Sequence, residues 1–211
     1  MTKMISALRE GHARYKESRL PEYKDLYKKL ADSGQEPKAL MITCSDSRID
    51  PALLFDQNPG DLFVIRNVAN VVPPYDPRAG YHGTSAALEY AVKDLNISDI
   101  IVMGHANCGG VEALIEMVDG KPPSGEFIGS WMAIAQTAAV SVKDKHSDNV
   151  DRNMRTEHEV VRLSLDNLLT FPWVAEKNSN NQLALHGFYF DIRDGSMLWL
   201  NSHSNQFENF T

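Results

Sequence analysis

The chain has 211 residues, 43% of them apolar, with 28 acidic against 21 basic residues and a net charge of −7. That apolar share excludes a disordered chain, and the charge argues against nucleic acid or an anionic membrane surface as a partner. Two cysteines are too few for a disulfide-built secreted domain, and no apolar run reaches the ~20 residues of a membrane-spanning helix. The opening residues, MTKMISALREGHARY, contain no apolar signal region and include Glu10, so a cytoplasmic chain is expected.

Residues 4–17 place Ile5, Leu8, His12 and Tyr15 on one helical face, and residues 22–32 do the same with Tyr23, Leu26, Tyr27 and Leu30. Ala39–Thr43 is a short apolar run that reads as a buried strand, and Asp61–Ile65 is another. Pro73, Pro74, Pro77, Gly80 and Gly83 mark residues 73–83 as a loop. Leu88, Ala91, Val92 and Leu95 then recur at the i, i+3, i+4, i+7 spacing of an amphipathic helix. Asp99–Met103 is the third strand, bounded by Gly104. Helices are expected over 110–118, 127–145 and 152–170, the last with Val161, Leu165, Leu168 and Leu169 on one face and Pro172 as its stop. Residues 182–190 and 196–200 form a strand pair around Asp194-Gly195. This alternation predicts an α/β fold with a mostly parallel central β-sheet flanked by helices, an N-terminal helical arm and a C-terminal strand extension. A single domain over 1–211 is expected, with the arm over 1–34 and the core and extension over 35–211.

In such sheets ligands bind beyond the carboxyl ends of the strands, and two motifs sit there. Cys44-Ser45-Asp46-Ser47-Arg48 follows the first strand, and His105-Ala106-Asn107-Cys108-Gly109-Gly110 follows the third. Each alone is a weak signal. Together they bring two thiols and an imidazole to one edge of one sheet, a donor set that suits zinc. Three protein ligands leave a fourth position open, as in a catalytic site rather than a closed structural one. His12, His82, His146, His158, His186 and His203 have no Cys or second His at ligand spacing and are read as surface or hydrogen-bonding residues. Asp46 beside Arg48 is expected to stay ionised, and a carboxylate next to a metal can accept a hydrogen bond from bound hydroxide and aim its lone pair. Away from the metal motif the same pair would read as an Asx-turn with a surface ion pair.

At these residues the chain resembles a β-class carbonic anhydrase, and within that class the plant-type branch. The resemblance runs from about Gln35 to Trp199 and rests on CSDSR at 44–48, PGDLFVIRNVANVVPPY at 59–75, SAALEYAV at 85–92, GHANCGG at 104–110 and NLLTFPWV at 167–174. It implies one Zn2+ per chain on Cys44, His105 and Cys108, with Asp46 and Arg48 as a catalytic dyad. It further implies substrate contacts by Gln35, Phe63, Val68, Tyr90 and the backbone N–H of Gly109, with Gln35, Phe63 and Tyr90 supplied by a neighbouring subunit. The implied reaction is reversible hydration of carbon dioxide to bicarbonate and a proton by zinc-bound hydroxide. The implied assembly is a homodimer or a larger homo-oligomer, a tetramer or octamer. Two thiolates weaken the metal as a Lewis acid, so its water is expected to be less acidic than in a three-histidine site.

Competing readings remain at this point. Hydrolysis of carbonyl sulfide or carbon disulfide uses the same attack on a linear electrophile. A cysteine phosphatase needs a longer loop than the Cys-x₃-Arg spacing here. A non-enzymatic zinc or anion module is possible on the Gly104–Gly110 stretch, which lacks the dinucleotide and Walker patterns. Some β-class enzymes hold bicarbonate in a side pocket that releases the dyad aspartate onto zinc. Of that pocket this chain carries Arg66 and Tyr90, while Met41 stands in place of a tryptophan. Asp46 is therefore expected to stay on Arg48.

Overall fold

The computed structural model describes residues 2–78, 80, 82–123, 125–145 and 152–210. His146, and Ala79 and Tyr81 of the expected 73–83 loop, lie outside them. The chain opens with α1 (Lys3–Ser18), whose N-cap Thr2 accepts from the Ile5 N–H, and α2 (Leu20–Ser33), with Pro21 in its first turn. Tyr15 Oη donates to Tyr27 Oη across the two at 3.1 Å. Neither helix buries a residue, and Met4, Ile5 and Leu8 are 64%, 49% and 56% exposed. The expected arm is present, and the apolar stripe of its first helix faces solvent within one chain.

Among the described residues the sheet has six strands: β1 (Ala39–Cys44), β2 (Leu62–Asn67), β3 (Asp99–His105), β4 (Ala184–Phe190), β5 (Met197–Asn201) and β6 (Gln206–Asn209). Their order is β2-β1-β3-β4-β5-β6, parallel from β2 to β4 and antiparallel beyond. β1 is buried along its whole length, which accounts for its unbroken apolar run. Alternate residues serve two cores. Leu40 and Ile42 pack with Leu88, Val92, Ile100, Val102, Val161 and Leu168 on one face. Met41 packs with Ile49, Met103 and Phe188 on the other.

The helices depart from the expected boundaries for local reasons. After α3 (Pro51–Leu54), α4 (Gly83–Glu89) loosens into a π turn over Tyr90–Asp94, where the Leu95 N–H reaches back to the Tyr90 carbonyl. The 127–145 helix is two, α6 (Ile128–Ala133) and α7 (Gln136–Lys145) after α5 (Gly109–Val118). Tight bonds from Ile134 N–H to Trp131 O and from Ala135 N–H to Met132 O turn the chain between them. Pro172 does follow the end of α8 (Arg152–Leu168), but it also starts α9 (Pro172–Ser179), since a first-turn residue needs no N–H. β6 escaped the sequence reading because its four residues, QFEN, offer one apolar side chain.

Two glycines let α8 lie close on the sheet. A Cβ on Gly104 would stand 2.8 Å from Val161 Cγ2, and one on Gly187 would stand 3.1 Å from both Val161 Cγ1 and Leu165 Cδ1. Beside this contact, His158 of α8 stacks on Phe207 at 4.1 Å between ring centroids and meets Tyr189 edge-on at 4.4 Å. Burial, with Arg162 nearby, pushes its pKa down to about 4. The unfolded chain takes up this proton below about pH 6.5, whereas the native state refuses it until about pH 4. The stability it contributes is therefore full above that upper value and lost as pH falls through the window, by an amount on the order of 2 kcal/mol. His158→Phe keeps the ring contacts and cannot titrate. Chemical denaturation at pH 7 and pH 4.5 should show the variant retaining about 2 kcal/mol more of its neutral-pH stability than the parent. An equal loss in both proteins would remove His158 from the acid response.

Candidate metal centre

Parallel pairing of β1 with β3 aligns Thr43 with Met103, so the strands end side by side with Cys44 closing one and His105 closing the other. Both ligands are thus the last residues of their strands rather than the first of the following loops. Cys108 comes three residues later, at the N-cap of α5. The ligand atoms of Cys44, His105 and Cys108 all lie within 4.8 Å of one another, and all three residues are buried.

The donor set fits a zinc ion. The two Sγ atoms are 3.9 Å apart, while two sulfurs held at ~2.3 Å on a tetrahedral ion stand about 3.8 Å apart. His105 Nδ1 lies 2.9 Å from the Ala106 carbonyl, which fixes that nitrogen as the N–H donor. Its Nε2 is then a bare acceptor, buried and without a hydrogen-bond partner. The thiols are polarised against each other. The neighbouring Cys108 thiol, then His105 and the backbone N–H groups of Asp46 and Ala69, hold the Cys44 thiol far below its usual range against the effect of burial. Cys44 and burial push Cys108 up, opposed by the first-turn N–H groups of Val111 and Gly110. A soft divalent cation bound here would take both sulfurs as thiolates and release protons.

Asp46 Oδ2 lies 4.0 Å from His105 Nε2. Arg48 grips it with Nε to Oδ1 at 2.9 Å, Nη2 to Oδ2 at 2.7 Å and its own backbone N–H to Oδ1 at 2.9 Å. Those hydrogen bonds hold the Asp46 carboxyl well below the usual carboxylate range. Arg48 Nη2 also donates to the Asn107 carbonyl at 3.0 Å, tying the Cys44 loop to the Cys108 loop. A second guanidinium, Arg66 at the end of β2, donates to the carbonyls of Cys44, Asp46 and Ile49 at 3.0, 2.6 and 2.6 Å. In this geometry Asp46 rests on Arg48.

The other expected residues divide into two groups. Val68 and Gly109 lie at the metal end: Asn67 pairs with Cys44, and a Cβ on Gly110 would meet Val68 Cγ1 at 2.7 Å. Phe63 pairs with Leu40, four residues before Cys44 and so ~13 Å back along the strand. Tyr90 packs on Phe63 with ring centroids 5.9 Å apart, and exposed Gln35 precedes β1 altogether. Within one chain, therefore, Gln35, Phe63 and Tyr90 stand at the wrong end of the sheet. The side pocket of Met41, Arg66 and Tyr90 is not assembled in the chain either. Register puts Met41 and Arg66 on one face of the sheet, and Tyr90 packs with Phe63 on the other.

Sequence reasoning missed Glu157 of α8, buried to 3% exposure, whose Oε1 accepts the Cys108 N–H at 2.9 Å. Its signal was an acid in phase with the buried stripe Val160, Val161, Ser164 and Leu168. The three-carbonyl role of Arg66 left no sequence signal.

Residues 39–197 match the family model described as Carbonic anhydrase. Beta carbonic anhydrase 5, chloroplastic, of Arabidopsis thaliana is 41% identical over 175 residues, covering 80% of this chain, which spans only 55% of that relative. The solved β-carbonic anhydrase CcaA superposes with a TM-score of 0.90 at 33% identity, over 100% of this chain and 93% of that one. Tetrameric β-carbonic anhydrases from the filamentous ascomycete Sordaria macrospora follow with a TM-score of 0.82 at 28% identity, over 95% and 98%. The cysteine–histidine–cysteine cluster at the strand ends, the family match across the sheet that builds it and this likeness in three dimensions agree: the chain belongs to the β-class of the carbonic anhydrase family.

Proposed function

We propose that the chain catalyses the reversible hydration of carbon dioxide to bicarbonate and a proton, with zinc held by Cys44, His105 and Cys108. The observation that carries this reading is the ionised Asp46, clamped by Arg48 and facing the three-ligand cluster at 4.0 Å. Bound zinc would lower the pKa of a coordinated water and supply a nucleophile near neutral pH. Asp46 is an acceptor only, so it orients an O–H donor in front of it and leaves the oxygen lone pair pointing away from itself. Arg48 fixes both carboxylate oxygens, which removes the rotational freedom that would blur that aim. Val68 offers an apolar wall beside the cluster, and the Gly109 N–H, at the first turn of α5, faces developing negative charge on substrate oxygen.

Gln35, Phe63 and Tyr90 complete the pocket only if a second copy brings them. Two features support that. An apolar groove of about 900 Å³, lined by Phe63, Val64, Val68, Phe127, Ile128 and Trp131, runs along the β2 edge from the Phe63 level to the metal end. Met4, Ile5 and Leu8 of α1 stand exposed among the described residues. A homodimer or a larger even assembly follows, of the kind described for the tetrameric relatives.

Metal analysis of the purified protein should find one zinc per chain, and Cys108→Ser should lose most of it. Full zinc and normal activity in that variant would break the ligand assignment. Asp46→Asn should keep its zinc while CO2 hydration, followed by stopped flow, falls about 100-fold. Turnover near that of the parent would reduce Asp46 to shaping its loop. Sedimentation should give a dimer or larger species, and a fully active monomer would contradict the shared site.

A further inference from the structure

Glu157 is the one buried acidic side chain among the described residues, and the chemistry above makes no use of it. Burying a carboxyl costs several kcal/mol unless its oxygens are matched. Here both are: Oε1 accepts the Cys108 N–H at 2.9 Å, and Oε2 accepts from the hydroxyl of Tyr189, itself 1% exposed, at 2.7 Å. The Cys108 N–H lies outside α5 as its N-cap, so no turn of helix can satisfy it. Asn107 before it turns through a left-handed conformation, φ 55°. Arg48 holds the Asn107 carbonyl of this turn, and the Cys108 N–H that follows is taken by Glu157. The close seat of α8 on Gly104 and Gly187 brings Glu157 within reach, and Tyr189 from β4 stops the carboxyl from rotating.

We propose that Glu157, braced by Tyr189, is a positioning residue for the third ligand: it fixes the Cys108 backbone so that Sγ stays aimed at the metal, and it thereby sets metal affinity and ligand geometry. This rests on the zinc reading above. Hydrogen-bonded partners behind a metal ligand are typically worth about 10- to 100-fold in affinity. A carboxyl group suits the task because one oxygen accepts the Cys108 N–H while the other takes the Tyr189 hydroxyl.

The test uses the full-length protein and three variants. Glu157→Leu removes the acceptor at similar volume, Glu157→Gln keeps a carbonyl oxygen for the Cys108 N–H, and Tyr189→Phe removes the brace. Zinc affinity is measured by competition with a chromophoric chelator, ligand geometry by the thiolate-to-metal absorption bands of the cobalt-substituted protein, and fold stability by urea unfolding of the metal-free protein. Glu157→Leu should lose about 10- to 100-fold in zinc affinity and shift the cobalt bands. Glu157→Gln should recover most of the affinity and leave the bands near their parental positions. A merely structural role would lower metal-free stability in Glu157→Leu and leave affinity and bands unmoved, which would overturn the proposal. A Gln variant as weak as the Leu variant would overturn it too, because charge rather than the N–H bond would then be at work. Should Glu157→Leu fail to fold, Tyr189→Phe decides: a several-fold loss with shifted bands supports the brace, and parental values refute it. Stoichiometric zinc in the parent keeps the metal reading separate, since both readings fall if the parent takes up none.

Discussion

Side-by-side pairing of β1 with β3 is the constraint on which the site depends, because it brings together residues 60 positions apart in the chain. Ala39 aligns with Asp99 and the register holds through Thr43 and Met103, so Cys44 and His105 end neighbouring strands. Parallel strands deliver their carboxyl ends to the same edge, and both following loops must turn there. A one-residue slip would send Cys44 to the opposite face and replace a ligand with an apolar wall. The apolar residues that fill the two cores, Leu40 and Ile42 on one side and Met41 and Met103 on the other, therefore fix the ligand geometry as firmly as the ligands do.

Strand ends alone would leave two loose loops. Arginines make them one body. Arg66 gathers the carbonyls of Cys44, Asp46 and Ile49, and Arg48 joins Asp46 to the Asn107 carbonyl. Backbone carbonyls that would otherwise face water or go unpaired become anchors of the loop that carries the Asp46 carboxylate. Ala69 and Asn70, at φ 61° and 49°, turn the chain sharply after β2, and the Ala69 N–H is thereby brought to the Cys44 thiol. Both residues are buried, so the surrounding packing over-determines a conformation that L-residues otherwise avoid.

Much of this was legible in the sequence, and the limits have physical causes. The core strands showed as apolar runs, and CSDSR and HANCGG named the ligands because zinc chemistry restricts the residue types that can serve. Boundaries were less legible. Cys44 and His105 were read as loop residues because their side chains look polar, yet the ladder continues through them. The split of 127–145 turns on i−3 hydrogen bonds that any alanine-rich stretch can make. Glu157 was hidden in a helix whose charges mostly face water. A buried carboxyl is recognised only when its partners, a backbone N–H and a tyrosine from another strand, are in place. Such contacts have no sequence spacing to read.

Alternation along a strand also decides which side chains flank Arg66. Phe63 and Ile65 point to one side of β2, and Val64 and Arg66 to the other. Tyr90 reaches Phe63, so it stands across the sheet from Arg66 and Met41. An anion near Arg66 would find Met41 without a donor, and Tyr90 of the same chain across the sheet. It would also compete with three carbonyl oxygens, two of them at 2.6 Å. Displacing those bonds would unfix the carbonyls of Cys44 and Asp46 together, so the loop that carries a metal ligand would move along with the carboxylate. Asp46 on Arg48 and the Cys44 carbonyl on Arg66 thus belong to one hydrogen-bonded loop, so a shift at Arg66 reaches the carboxylate and the ligand strand end together.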